Sequence, residues 1–254
     1  MSGVPVDIRG LTVQRRLPDE PPILRAVSLS IPAGSRHGLI GASGSGKSTL
    51  LRALLGLVPV GSGGIRVGDL GVPAPDRASR QLLARTVAWI PQDAVGSLDP
   101  CMTAREAVAE GLRLHGIAAG RDASRRAADH LVRVGIPADA FDRRPGELSG
   151  GQAQRVAVAR ALAAEPGLVL ADEPTSALDP LVQARLLNLL FDHCTASGAT
   201  VLLVAHTLGI VRRFCDVVTV LHDGSIVETG PVSDVLDRPA HEVTRALIAA
   251  ELQP

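Results

Sequence analysis

The sequence predicts an α/β fold: a largely parallel sheet flanked by helices, with an antiparallel β part before it and an all-helical block inserted into it. Three observations carry this. Buried-strand patterns at "RHGLIG" (36–41), "GLVLAD" (167–172) and "TVLLVAH" (200–206) alternate with stretches of helical spacing, the pattern that builds parallel sheets. From about residue 93 to 165 the strand patterns vanish and only amphipathic helices remain. The first ~40 residues instead hold two short alternating strands around a proline-rich turn region.

The elements follow in order. "DIRGLTV" (7–13) and "AVSLSI" (26–31) read as strands on either side of "LPDEPP" (17–22). "RHGLIG" runs straight into a glycine loop, and "STLLRALLGL" (48–57) then places Leu50, Leu51, Leu54 and Leu55 on one helical face. "TVAWI" (86–90) is a strand stopped by Pro91. "TAREAVAEGLRLHG" (103–116) and "SRRAADHLVRVG" (124–135) are amphipathic helices ending at glycine. Pro180, after the capping residue Asp179, starts the helix "PLVQARLLNLLFDHC" (180–194). "VVTVLHDGSIVET" (217–229) is a hairpin turning at Asp223–Gly224.

Composition narrows the classes. Basic and acidic residues balance at 26 each, so there is no field for nucleic acid. Cys101, Cys194 and Cys215 stand far apart and signal neither zinc nor disulfides. No stretch approaches the ~20 apolar residues of a membrane span, and no signal peptide is visible. Lys47 is the only lysine, arginine serving everywhere else. A position that keeps lysine against that composition needs a compact ammonium in a narrow place.

That place is "GASGSGKS" (41–48), a full G-x-x-x-x-G-K-[ST] with a strand before it and a helix after it. Gly41, Ala42, Ser43, Gly44, Ser45 and Gly46 wrap nucleotide phosphates with backbone N–H groups, helped by the helix N-terminus. Lys47 is expected to reach the β- and γ-phosphates, Ser48 to ligate Mg²⁺, and Thr49 to touch an α-phosphate oxygen. "LVLADE" (168–173) ends at the same sheet edge, where Asp172 can hold a Mg²⁺ water and Glu173 can orient or deprotonate the attacking water. His206 at the end of its strand is expected beside the γ-phosphate and Glu173. Gln92, after "TVAWI", is placed to touch Mg²⁺ or the lytic water and opens the helical block.

A second glycine pair, "LSGGQ" (148–152), opens another helix about a hundred residues downstream. Ser149, Gly150 and Gly151 carry the chemistry of a phosphate contact, flanked by Leu148 and Gln152. The γ-phosphate is already surrounded within one chain, so this cradle is expected to serve the nucleotide of a second subunit. Two chains head to tail would then sandwich two ATP molecules.

In this order and spacing, "GASGSGKS", Gln92, "LSGGQ", "LVLADE", "SALD" (176–179) and His206 resemble the ATP-binding subunits of ABC transporters over nearly the whole chain. The resemblance implies a RecA-like P-loop core (about 4–92 and 160–230), a helical subdomain (about 93–159) and a short C-terminal helical segment (about 231–250), forming one domain over 4–250. It also makes Ser176, Ala177, Leu178 and Asp179 the loop that communicates between the two sites. "DAVGSLDPCMT" (93–103), "RFCDVV" (213–218) and "GPVSDVLDRPAHEVTRALI" (230–248) look like the peptide and nickel importer subfamily. By that resemblance the cofactors are ATP and Mg²⁺. The partners are a second ATP-binding subunit, two membrane permease subunits that dock after Gln92 and, at one remove, an external binding protein, with the chain held peripherally at the cytoplasmic face of the membrane. An accessory ATPase of a soluble enzyme assembly, such as one for phosphonate breakdown, is the alternative. The family stacks adenine on an aromatic residue after the first strand, whereas "LTVQRRLPDE" (11–20) has none. Either Arg15 or Arg16 stacks on the base, or both are solvated and the base is loosely held. The cysteine-bearing tail of many peptide importer ATPases is also absent, so no iron–sulfur cluster is expected.

Overall fold

The computed structural model describes residues 2–15, 20–93, 95–175 and 180–251. Two sheets organise them. β1 (Val6–Val13), β2 (Leu24–Ile31), β4 (Ser62–Val67) and β5 (Leu70–Val72) form an antiparallel sheet in the order β2-β1-β4-β5. β3 (Arg36–Ile40), β6 (Val87–Ile90), β7 (Leu168–Asp172), β8 (Thr200–Val204) and β9 (Val217–His222) run parallel in the second sheet. β10 (Ser225–Pro231) closes one edge antiparallel, giving the order β10-β9-β3-β8-β7-β6.

Every residue of β7 and β8 is buried, which is why their sequences are unbroken apolar runs rather than alternations. By contrast β2 alternates buried and exposed positions, as a sheet with one covered face should. α1 (Lys47–Leu54) buries Leu50, Leu51 and Leu54 in a cluster that joins the antiparallel sheet to one face of the parallel sheet through Ile8, Leu39, Leu170 and Leu202. The helix stops short of the expected residue 57 because Gly56 turns left-handed at φ +69°.

The other face carries the helical block. α3 (Ala104–Leu114) starts on a reciprocal cap, in which Thr103 Oγ1 accepts from Glu106 N (3.2 Å) and Glu106 Oε2 accepts from Thr103 N (2.8 Å). With α4 (Gly120–Arg133), α5 (Gly150–Leu162) and α6 (Pro180–Ser197) it shares one apolar cluster that reaches Ile40, Ile90 and Val169 of the sheet. α5 runs unbroken through residue 159 and packs on both α3 and β6.

Several elements were silent in the sequence. β4 and β5 lie in a glycine-rich stretch, and α2 (Arg77–Thr86) buries only Leu83 and Thr86. β8 stops at Val204, two residues before His206. The ladder ends there because Asp172 pairs with Val204, whose carbonyl then accepts the amide of Glu173 (3.1 Å). α7 (Leu208–Phe214) follows at once, and α8 (Val232–Asp237) and α9 (Glu242–Glu251) are the last described elements. Among the described residues no helix is long and apolar enough to cross a bilayer.

Candidate nucleotide site

The loops leaving β3, β6, β7 and β8 open at one edge of the parallel sheet, where open α/β sheets place their ligands. The loop after β3 is pressed against the β9–β10 turn: Gly224 N donates to Ser45 O (3.0 Å), and Arg25 N donates to Gly224 O (2.8 Å). Gly41 is required by that contact, since a Cβ there would lie 2.1 Å from the Leu221 carbonyl oxygen. Gly46 caps α1 at φ +108°, with a would-be Cβ 2.8 Å from Leu24 Cδ2. The glycines thus serve backbone approach twice over, against the protein's own chain and toward the space the loop encircles.

That space is a cavity of about 250 Å³, lined by Ser43, Gly44, Gly46, Lys47, Ser48 and Thr49 of the loop and by Gln92, Glu173 and His206 from the other strand ends. It therefore brings together the residues read from four separate motifs. Ile23, just before β2, also lines it and carried no signal in the sequence. Lys47 is buried, and its ammonium donates to the carbonyls of Gly41 (2.8 Å) and Ala42 (3.0 Å). Burial lowers its pKa from the ordinary lysine value, opposed by the charges of Glu173 and Asp172.

Asp172 ends β7 with 5% of its surface exposed, and its Oδ1 is shielded with no partner among the described residues. Glu173 follows at φ +48°, a left-handed conformation that costs a residue bearing a Cβ ~1 kcal/mol or more. Its Oε1 lies 2.5 Å from His206 Nε2, while Oε2 is shielded and has no partner among the described residues. Such orphaned carboxylate oxygens cost free energy unless a ligand takes them. Hard oxygen donors of this kind suit a Mg²⁺ ion, so the Ser48, Gln92 and Asp172 set fits the cation chemically.

The second glycine pair stands apart, and neither it nor any neighbour from 148 to 152 lines the cavity. Ser149 caps α5 by accepting from Gln152 N (3.2 Å), and Gln152 Oε1 accepts from Ser149 N (3.0 Å). Gly151 has an internal reason, since its Cβ would meet Val182 Cγ1 at 3.2 Å. Gly150 has none: a Cβ there would meet nothing within 4 Å, and the residue is exposed.

Two side chains outside the motifs connect these parts. Gln154, buried on α5, donates to the Pro174 carbonyl beyond Glu173 at 2.5 Å. Arg160, further along α5, donates to the backbone (2.8 Å) and hydroxyl (3.2 Å) oxygens of Ser97, which fixes the segment after Gln92. Arg15 is exposed and pairs with Glu20 at 3.4 Å, and among the described residues no Phe, Tyr or Trp lines the cavity. Arg16 and the loop Ser176–Asp179 lie outside the described residues.

Comparison with known proteins agrees with this geometry. The family model for the ABC transporter domain matches residues 24–176, more than half of the chain. A Brucella ovis protein provisionally named a peptide import ATP-binding protein is 40% identical over 232 residues, covering 91% of this chain and 73% of the relative. The glutathione import ATP-binding protein GsiA of Escherichia coli K12 is 41% identical over 224 residues, covering 88% of this chain and 36% of its own length. Among solved structures, a dimeric post-hydrolysis state of the ATP-binding cassette MJ0796 bound to ADP and Pi superposes with a TM-score of 0.81. Identity there is 30%, covering 89% of this chain and 98% of the other. The chain therefore belongs to the ABC transporter family, as an ATP-binding, ATP-hydrolysing subunit.

Proposed function

We propose that this subunit energises an importer of peptides or nickel-type metal complexes, working as a dimer against two membrane permease subunits with an external binding protein beyond them. The names of the relatives support the import of peptide-like cargo and do not favour an accessory role in a soluble enzyme assembly. Permease docking after Gln92 would hold the chain at the cytoplasmic face of the membrane. In this reading the chain divides into a RecA-like core, a helical subdomain over about 93–159 and a C-terminal segment, with α5 (Gly150–Leu162) crossing between the first two.

In this reading the backbone of residues 41–46 and the N-terminus of α1 bind the ATP phosphates. Lys47 exchanges its loop carbonyls for β- and γ-phosphate oxygens, and Thr49 touches the α-phosphate. Ser48, Gln92 and Asp172 would hold Mg²⁺, which when bound supplies positive charge to the phosphate oxygens. Glu173 accepts a proton from the attacking water at its carboxylate, while His206, in contact with Oε1, orients the carboxylate and the γ-phosphate. Leu148, Ser149, Gly150, Gly151 and Gln152 meet the partner subunit's nucleotide, and the 176–179 loop relays between the two sites. Adenine rests on Arg15 or Arg16 or is only loosely held.

One observation carries the catalytic reading: Glu173, one of whose carboxylate oxygens has no partner among the described residues, lines the same cavity as Lys47. Glu173→Gln is expected to bind ATP within about threefold of the wild type and to lose at least about a hundredfold in turnover. Fluorescence titration with a labelled nucleotide and a phosphate-release assay separate the two effects. Turnover retained within tenfold would remove Glu173 from the chemistry.

A further inference from the structure

The C-terminal helix reaches the loop that carries His206. At its start, Glu228 of β10 accepts from Ala240 N (2.9 Å) and His241 N (3.1 Å). Along its length, Leu247 and Ile248 of α9 pack on the main apolar cluster. At its end, both carboxylate oxygens of Glu251 accept from a single backbone amide, that of Leu208, at 2.8 and 2.9 Å. Leu208 lies two residues after His206, and Thr207 supplies no side-chain cap to α7. Leu247, Ala250 and Glu251 also share a cavity of about 290 Å³ with Gly41, Ala205 and His206.

His206 is consequently suspended between two backbone anchors. On one side the strand end is fixed where Val204 O accepts from Glu173 N (3.1 Å). On the other side the anchor is Glu251, 43 residues along the chain from the Leu208 amide it holds. The His206 side chain is 55% exposed, and its described polar contact is Glu173. Packing alone does not hold the ring, so its place depends on the Glu173 contact and on the backbone on each side. We propose that Glu251 is a positioning residue for His206, and that α9 thereby sets the geometry of the histidine–glutamate pair. The proposal rests on the catalytic reading of that pair given above. Charge-assisted bonds to a backbone amide are among the stronger hydrogen bonds, and small displacements of a catalytic group cost rate rather than binding. Among the described residues Glu251 bonds to Leu208 N and not to Lys47 or the glycine loop, so ATP affinity should not follow the loss.

The test compares steady-state ATP turnover by the full chain as wild type, Glu251→Ala, Glu251→Gln, His206→Ala and the Glu251→Ala/His206→Ala pair. Glu251→Ala is expected to lower kcat by about tenfold with KM for ATP within about twofold. Glu251→Gln, whose amide oxygen still accepts the Leu208 N–H, should recover most of that loss. In the His206→Ala background the second change should add nothing, because both act through one group. If the alanine variant does not fold, Glu251→Asp takes its place: same charge, one methylene short of Leu208, and the same expected drop. A kcat within twofold of wild type for Glu251→Ala while His206→Ala is slow would overturn the tether alone, as would a tenfold loss that persists without His206. Wild-type turnover by His206→Ala would instead remove the catalytic reading, and the tether with it.

Discussion

Lowering the pH probes the strand that feeds the phosphate loop. His37 lies on β3, 1% exposed, with Nε2 2.7 Å from Thr219 Oγ1 and Nδ1 shielded without a partner. Burial lowers its pKa from 6.5 to about 4. The folded value lies below the unfolded one, so the unfolded chain binds the extra proton between them. The neutral ring's contribution is complete above the unfolded pKa and is lost as the pH falls toward the folded one. Linkage over those two values gives a loss of about 2 kcal/mol between pH 7.5 and 5, or roughly 4–8 °C in Tm for a chain of this size. Burial lowers His115, His130 and His193 in the same direction, so the wild-type slope alone is not diagnostic. His37→Gln keeps a polar partner for Thr219 and cannot charge. Urea melts followed by circular dichroism at pH 7.5, 6 and 5 should show a shallower decline for the variant, by about 2 kcal/mol over the range. Equal slopes within about 0.5 kcal/mol would refute the assignment of a buried neutral imidazole.

Other outcomes follow from single contacts. Lys47→Arg should weaken ATP binding nearly as much as Lys47→Ala, by at least about tenfold in a titration, because a planar guanidinium does not fit a buried cradle closed by two carbonyls. Gly150→Ala should leave the chain as stable as wild type, since its Cβ meets nothing internally, yet reduce turnover in a phosphate-release assay. Normal turnover would deny that residue a contact with the partner. Gln154→Ala should cost about 1–3 kcal/mol in chemical denaturation by orphaning the buried Pro174 carbonyl.

The placement of the candidate site residues was more legible than several of the elements around them. Lys47, Asp172, Glu173, Gln92 and His206 belong to short motifs whose spacing with strand ends places them at one sheet edge, and the cavity gathers all but Asp172 in its lining. The parallel strands announced themselves because full burial demands unbroken apolar runs. β4 stayed hidden because "SGGIRV" (62–67) reads as turn, its strand conformation being imposed by pairing with β1. α2 stayed hidden because a mostly exposed surface helix needs little apolar periodicity. The second glycine of "LSGGQ" owes part of its identity to Val182, a packing constraint invisible without coordinates. Glu251 and Gln154 act across 43 and 20 residues of chain, and no local pattern marks such long-range partners.

The proposed composite site is tested most directly by sedimentation of the Glu173→Gln chain, expected to hydrolyse slowly, with saturating ATP and Mg²⁺. The expected result is a species of twice the chain's 26.3 kDa that forms only with nucleotide and is lost when Ser149→Arg is added, while each chain still binds ATP. A nucleotide-loaded monomer, or a dimer indifferent to Ser149→Arg, would contradict a reaction centre shared between two subunits.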